Sequence, residues 1–452
     1  SKIPLRETDM SPTETLISES QERMLFVIKK DYEEEILKIF DKYELQYSTI
    51  GIVTENNKII IKNNGLEIAN LPVETIVNAP IIIRAKKIPS YINKLKKIKP
   101  PKEPKDLTTT ILNMLSSPTI ANKKWVYEQY DHEVGIRTVI KPGQSGAAVL
   151  RLDNNKLLAV KVDGNPKHCY LDPFNGAAGG LAEACRNIVS VGGKPMAMIN
   201  HCQFGDPGNS EVFWTFSESV RGMAKFCKEL NVPCVGGKVS FYNEDVGTGT
   251  AIKPSPIVSV IGLIEETDYI PKMGLRKEED IIILLGITKL EMGGSEYYEY
   301  IHNITGGIAP KIDFYAESNV QKLVLESIKK GFVNAITDCS KGGLAIALLE
   351  MSILGELGFD VNLNNVISDC NRIDDILFSE SHSRFILSID KQHIKNIEDL
   401  AKKYNVPCKI IGKVITSCVS IRFGENKIIS IPLDDIKKSW ITAIPKYMDE
   451  IF

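Results

Sequence analysis

Near its start the chain passes from a polar run, Ser-Glu-Ser-Gln-Glu-Arg (18–23), into the apolar Met-Leu-Phe-Val-Ile (24–28). Much later Ser-Glu-Ser-His-Ser-Arg (379–384) passes in the same way into Phe-Ile-Leu-Ser-Ile (385–389). Short apolar runs of this kind predict strands. Helical spacing of apolar residues follows each, in EEILKIFDKY (34–43) and IKNIEDLAKKY (394–404). Two further strands are then predicted in each case: STIGIV (48–53) and KIIIK (58–62), then KIIGKV (409–414) and SCVSIRF (417–423). A constant offset of 361 pairs Glu19 with Glu380, Arg23 with Arg384, Ile36 with Ile397, Tyr43 with Tyr404 and Gly51 with Gly412. Over residues 18–51, 11 of 34 positions are identical without a gap, so the chain carries an internal duplication.

The second copy has a large upstream portion, residues 109–378, whereas only 17 residues precede the first phrase. The duplication therefore predicts the C-terminal part of a longer protein, with its first unit incomplete at the N-terminus. Between the copies, AKKIPSYINKLKKIKPPKEPKDL (85–107) is rich in Lys and Pro and reads as a spacer or a surface strap.

Charge adds little. The 55 basic and 57 acidic residues leave a net charge of −2, which points to neither nucleic acid nor a membrane surface as partner. No apolar stretch reaches membrane-spanning length. Nine scattered cysteines without a C-x-x-C pair suggest reduced thiols and a cytoplasmic protein.

Candidate chemistry concentrates in the middle of the chain. KPGQSGAAVLRL (141–152) reads as a hairpin turn. Asp163 follows an apolar strand at an Asp-Gly-Asn-Pro turn, where a carboxylate can face a cleft. GAAGGLAEACRNIVSVGG (176–193) reads as a glycine-rich loop opening a helix, an end that suits anions. Glu183 and Asn187, four apart, share a face and could offer oxygen ligands to Mg²⁺; a helix carboxylate balanced by Arg186 is the plainer alternative. In LNVPCVGGKVSFYNE (230–244), Gly236 and Gly237 follow a strand-like run and permit either a ligand's close approach or a bulge. ITDCSKGGLAIALLEM (336–351) places Asp338, Ser340 and two glycines between a strand and an apolar helix. No Walker A motif occurs, so any ATP site is of another kind.

Taken in order, SESQERML, YDHEVG, DGNPKHCYLDPFNGAAGGLAEACRNI, GGKVSFYNE and TDCSKGGL resemble the synthetase subunits of phosphoribosylformylglycinamidine synthase. The resemblance implies an α/β (α+β) fold of tandem units like aminoimidazole ribonucleotide synthetase. On that pattern residues 1–84 are the second domain of unit one and 85–108 a linker. Residues 109–265 are the nucleotide-binding domain of unit two, and 266–452 its second domain. The implied reaction converts formylglycinamide ribonucleotide to the amidine with ATP and Mg²⁺ through an iminophosphate. Ammonia comes from a glutaminase subunit, and a small bridging subunit is a further implied partner, as is the N-terminal part of the same protein.

Carried over by motif, Glu19, Ser20, Gln21 and Ser240 contact substrate, and Gly237 contacts ATP. Lys238 stands where the family has a magnesium-binding Asn, and Asn200 where it has an ATP-contacting Asp. A second, structural nucleotide with Mg²⁺ is implied at Asp163, Glu183, Asn187, Asp338 and Ser340. His382 replaces Gln21 in the second copy, which suggests that unit two lost substrate recognition. No catalytic residue is assigned. The alternatives are another ATP-dependent member of the superfamily, against which the duplication speaks, and a nucleotide-stabilised scaffold without catalysis.

Overall fold

The computed structural model describes residues 2–153, 155–265, 269–416 and 418–451. The chain divides into two compact units, Ser1–Ile83 and Arg84–Phe452.

The first unit contains α1 (Pro12–Ile17), α2 (Glu33–Lys42), the hairpin β1 (Lys58–Asn63) with β2 (Leu66–Pro72), and α3 (Val73–Val77). Ser11 caps α1 through a capping box with Glu14. Asn64 and Gly65, both at positive φ, make the tight turn of the hairpin. Two predicted strands do not form here: Met24–Ile28 and 48–53 have no ladder. In the second copy the matching strands have partners from upstream sequence, and nothing within residues 2–83 takes that place. An unpaired strand leaves its N–H and C=O groups to water and gains nothing from extension. None of residues 2–83 is buried, although Phe26, Phe40 and Tyr47 make a small ring cluster with centroids 5.3 and 5.6 Å apart.

The second unit opens with a strap. Its helix α4 (Ser90–Leu95) buries Ile92, and Tyr91 stacks on Tyr170 with centroids 4.3 Å apart. After α5 (Leu107–Leu115) and α6 (Lys124–Tyr127) comes a six-stranded sheet. It is built from β3 (Thr138–Ile140), β4 (Ala148–Arg151), β5 (Leu157–Asp163), β6 (Lys194–Gln203), β7 (Cys234–Ser240) and β8 (Ser255–Ile264), in the order β3-β4-β5-β8-β6-β7. Helices α7 (Pro166–Leu171), α8 (Pro173–Ser190) and α9 (Ser210–Leu230) are interleaved with these strands, α8 and α9 packing on each other.

A seven-stranded mixed sheet follows, in the order β10-β12-β9-β13-β11-β14-β15. In chain order its elements are β9 (Ile281–Leu285), α10 (Phe314–Lys329), β10 (Ala335–Asp338), α11 (Gly343–Gly355), β11 (Gly358–Asn362), α12 (Ile373–Phe378), β12 (Phe385–Ile389), α13 (Ile394–Tyr404), β13 (Cys408–Ile415), β14 (Cys418–Phe423), β15 (Asn426–Pro432) and α14 (Leu433–Ile451). Here the repeated phrase behaves as predicted. Phe385–Ile389 is a strand between β10 and β9, and β13 runs between β9 and β11.

Helix α8 joins the two layers, and sixteen of its eighteen residues are buried. Asp172 caps it, accepting from Asn175 N–H, and Pro173 opens its first turn. The glycine-rich segment expected to be a loop is therefore helix interior. Its glycines serve close packing instead. A Cβ on Gly176 would stand 2.4 Å from Cys169 N, and one on Gly179 2.3 Å from His382 Nε2. Gly236 and Gly237 lie within β7, and the register with β6 shifts just before Gly236, where a bulge was one of the two expectations. Among the described residues no helix is long and apolar enough to cross a membrane.

Candidate functional site

β5 ends at Asp163, α8 presents Glu183 and Asn187 one turn apart, and β10 ends at Asp338 just before Ser340. These five residues converge at the join between the two sheets of the second unit. Glu183, Asn187, Asp338 and Ser340 line a cavity of about 350 Å³, together with Lys123, Ser145, Lys161, Lys341, Glu350 and Trp440. Ser145 Oγ has no hydrogen-bond partner among the described residues, so the hydroxyl of the 141–152 turn is available to a ligand. Trp440 borders the cavity and donates its indole N–H to Ile120 O at 3.0 Å.

The acids of this cleft already have cationic partners. Lys341 Nζ lies 3.2 Å from Asp163 Oδ1 and 3.1 Å from Glu183 Oε1. Lys161 Nζ is 3.6 Å from Asp163 Oδ2, and Arg186 Nε donates to Asp338 Oδ2 at 3.1 Å. Arg186 also reaches Glu317 of α10 at 3.0 Å, so it does not serve chiefly as the balance for Glu183. Burial opposes the Glu183 charge, but Lys341, Arg186 and Lys161 outweigh it and hold its pKa at about 2. Asp163 is pushed up, by burial first and by the Glu183 charge second. Burial raises Asp338 to about 6 against the pull of Arg186, and Glu350 to about 7 against that of Lys123.

The donor set therefore does not form a metal site as it stands. Among the described residues no group of three His, Cys, Asp or Glu side chains is placed to hold an ion. Asn187 turns its amide N–H inward to Glu183 O at 2.8 Å. Lys341 is the residue that sequence reasoning missed. Its position beside Ser340 in TDCSKGGL was the available signal.

A second set lies on neighbouring strands. In the parallel pair β6–β7, Asn200 is opposite Gly237, His201 opposite Lys238 and Gln203 opposite Ser240. A Cβ on Gly237 would stand 2.8 Å from Asn200 Oδ1, so the two positions are in close side-by-side contact. Ser240 is fixed by Asn243, whose amide donates to Ser240 O at 2.8 Å. The two sets share one cross-strand row, since Val258 is opposite both Asp163 and Asn200. Two strand spacings separate those residues, roughly 10 Å.

The repeated phrase has two different environments. Glu19, Ser20 and Gln21 are exposed, in the segment between α1 and α2 of the first unit. In the second unit Glu380 is buried, and its Oε1 accepts from Glu296 N–H at 2.8 Å and Gly342 N–H at 2.9 Å. Its Oε2 lies 3.3 Å from His168 Nε2. Burial works against this carboxylate, yet His168 and the two backbone donors keep its pKa below the usual range. His382, buried against Gly179, is pushed well below the ordinary imidazole pKa, first by burial and then by the nearby cations.

Comparison with known proteins fits this architecture. A family model described as AIR synthase related protein, N-terminal domain, matches residues 144–264. The corresponding C-terminal domain model matches residues 1–63 and again 277–423, the same duplication seen in the sequence. The chain is similar to phosphoribosylformylglycinamidine synthase subunit PurL of Methanocaldococcus jannaschii, with 40% identity covering 99% of this chain and 61% of that relative. The PurL subunit of Caldanaerobacter subterraneus subsp. tengcongensis is 38% identical, over 97% of this chain and 60% of the relative. The chain thus spans about three fifths of the length of these relatives. Among solved structures, Thermotoga maritima PurL complexed with FGAR shares the fold, with a TM-score of 0.63 at 20% identity over 77% of this chain and 56% of that one. Mixed sheets, two domain types and a second copy of one of them agree: the chain belongs to the AIR synthase related family, alongside its PurL subunits.

Proposed function

We propose that the chain is part of a synthetase that converts formylglycinamide ribonucleotide to formylglycinamidine ribonucleotide with ATP and Mg²⁺, in purine biosynthesis in the cytoplasm. The observation that carries this reading is the 38–40% identity to PurL subunits along nearly the whole chain. An amide oxygen leaves poorly; phosphorylated by ATP it leaves as phosphate, and ammonia takes its place. A glutaminase subunit supplies the ammonia, and a small bridging subunit joins the two. By the motifs they match, Glu19, Ser20 and Gln21 are assigned to substrate in the first unit; in the second, Ser240 is assigned to substrate and Asn200, Gly237 and Lys238 to ATP. The test is phosphate release by the purified full-length protein with substrate, ATP, Mg²⁺ and ammonium. Release that depends on every component is the expected result; release indifferent to the ribonucleotide would refute the assignment.

The cleft of Glu183, Asn187, Asp338 and Ser340 has a second role in this reading: it holds a nucleoside diphosphate that stabilises unit two. What supports it is the contrast within the duplication. The second phrase is sealed by Glu380 and His382, yet a polar cavity remains beside it.

A further inference from the structure

Three acids were expected to gather a magnesium ion, and each has instead a basic side chain of the protein itself. The geometry at Lys341 is the most informative. Its Nζ sits between Asp163 Oδ1 and Glu183 Oε1 at 3.2 and 3.1 Å, and those carboxylates are 5% and 9% exposed. A divalent ion bridging the same two oxygens needs that space, with ligands at about 2.0–2.6 Å. Ammonium and metal cannot share it.

Lys341 is also held in place. It lies in the turn from Ser340 to Gly343, where Gly342 and Gly343 both have positive φ, at 77° and 69°. Glu380 grips that turn by accepting the Gly342 N–H. The side chain of Lys341 nonetheless remains 31% exposed, so it can meet a ligand in the cavity it lines. Asp163 Oδ2 makes no hydrogen bond among the described residues, and its ion-pair partner Lys161 Nζ stands off at 3.6 Å.

We propose that Lys341 is the resident cation of this cleft, occupying the place where a divalent ion would otherwise bridge Asp163 and Glu183. Resting on the nucleotide reading above, a nucleoside diphosphate then binds here through Lys341 with no metal bound by these carboxylates.

Two measurements on the purified full-length protein decide it. The first counts bound Mn²⁺ by electron paramagnetic resonance in the wild type, Lys341→Met and Lys341→Met with Asp163→Asn. One additional Mn²⁺ per chain in K341M, lost again in the double variant, is the expected result. Equal counts in wild type and K341M overturn the proposal, whether that site is filled in both or in neither. A thermal melt confirms folding, and Lys341→Gln is scored by the same rule if K341M does not fold.

The second titrates ADP calorimetrically in EDTA and in Mg²⁺. Wild-type affinity should agree within about threefold between the two, while K341M in EDTA should lose about tenfold or more. ADP binding by the wild type that requires Mg²⁺ and is lost in Asp163→Asn overturns the proposal; Mg²⁺-requiring binding that this variant leaves intact belongs to the separate ATP-facing set, and the Mn²⁺ count then decides. No ADP binding in either buffer sinks the nucleotide reading instead, and the Mn²⁺ count then judges Lys341 alone.

Discussion

Replacing Arg186 with methionine is the sharpest probe of what holds the two sheets together. The guanidinium is 1% exposed on α8 and contacts Glu317 on α10 and Asp338 on β10, themselves 0% and 3% exposed. Methionine keeps much of the apolar stem but leaves two buried carboxylates without their cation. Breaking a buried pair in this way costs about 3–5 kcal/mol. The penalty has a definite pH dependence. Burial already places the Asp338 pKa at about 6, with Arg186 opposing the rise; without Arg186 it moves higher still. An acid whose folded pKa exceeds its unfolded value destabilises the fold as pH rises between the two, and costs nothing once both states are protonated. R186M should therefore lose most at pH 8 and much less at pH 5. At about 2–4 °C per kcal/mol, calorimetry should find the transition of this unit roughly 10 °C lower at pH 8. Adding Asp338→Asn and Glu317→Gln should recover most of the loss. A fall below about 2 °C, or an equal fall at both pH values, would show that this triad does not carry the interface.

Three other outcomes are expected. Gly179→Ala should cost about 1–3 kcal/mol by driving a methyl group into His382, and His382→Ala should relieve most of that loss in a thermal-denaturation cycle. Glu380→Gln should flatten the acid limb of the stability profile. Its lowered carboxylate pKa contributes stability above the unfolded pKa that is lost as pH falls through the folded one, so an unchanged acid limb would contradict the burial seen here. Trp440 lines the cavity, so ADP should change the tryptophan emission of the wild type; a signal of the same size in Trp440→Phe would place the ligand elsewhere.

The duplication was legible because a constant register needs no structure to be seen, and the second copy folds as its periodicity indicates. The first copy shows the limit of that reasoning. Met24–Ile28 has the apolar composition of β12, yet composition supplies no neighbouring strand, and pairing is a property of the whole sheet. The glycines of 176–180 misled for a related reason. Local propensity assigns them to a loop, whereas tertiary contacts with Cys169, His382 and Gly164 require them inside a helix. The convergence of Asp163, Glu183, Asn187, Asp338 and Ser340 was legible from residue types and motif order. The charge balance of the site was not legible, because Lys341 and Arg186 meet their partners across separations of more than 130 residues in the chain.

The placement of β9 at the heart of the seven-stranded sheet has a consequence for how the chain is made. Its flanking neighbours, β12 and β13, lie about a hundred or more residues later in the sequence. During synthesis β9 leaves the ribosome with both edges open, and it stays so until residues 385–415 follow. Loops of that length close slowly, and unpaired apolar edges invite association with other chains. Ile281–Leu285 is therefore a segment in need of shielding while the protein is being made, even though four of its five residues are buried once folding is complete.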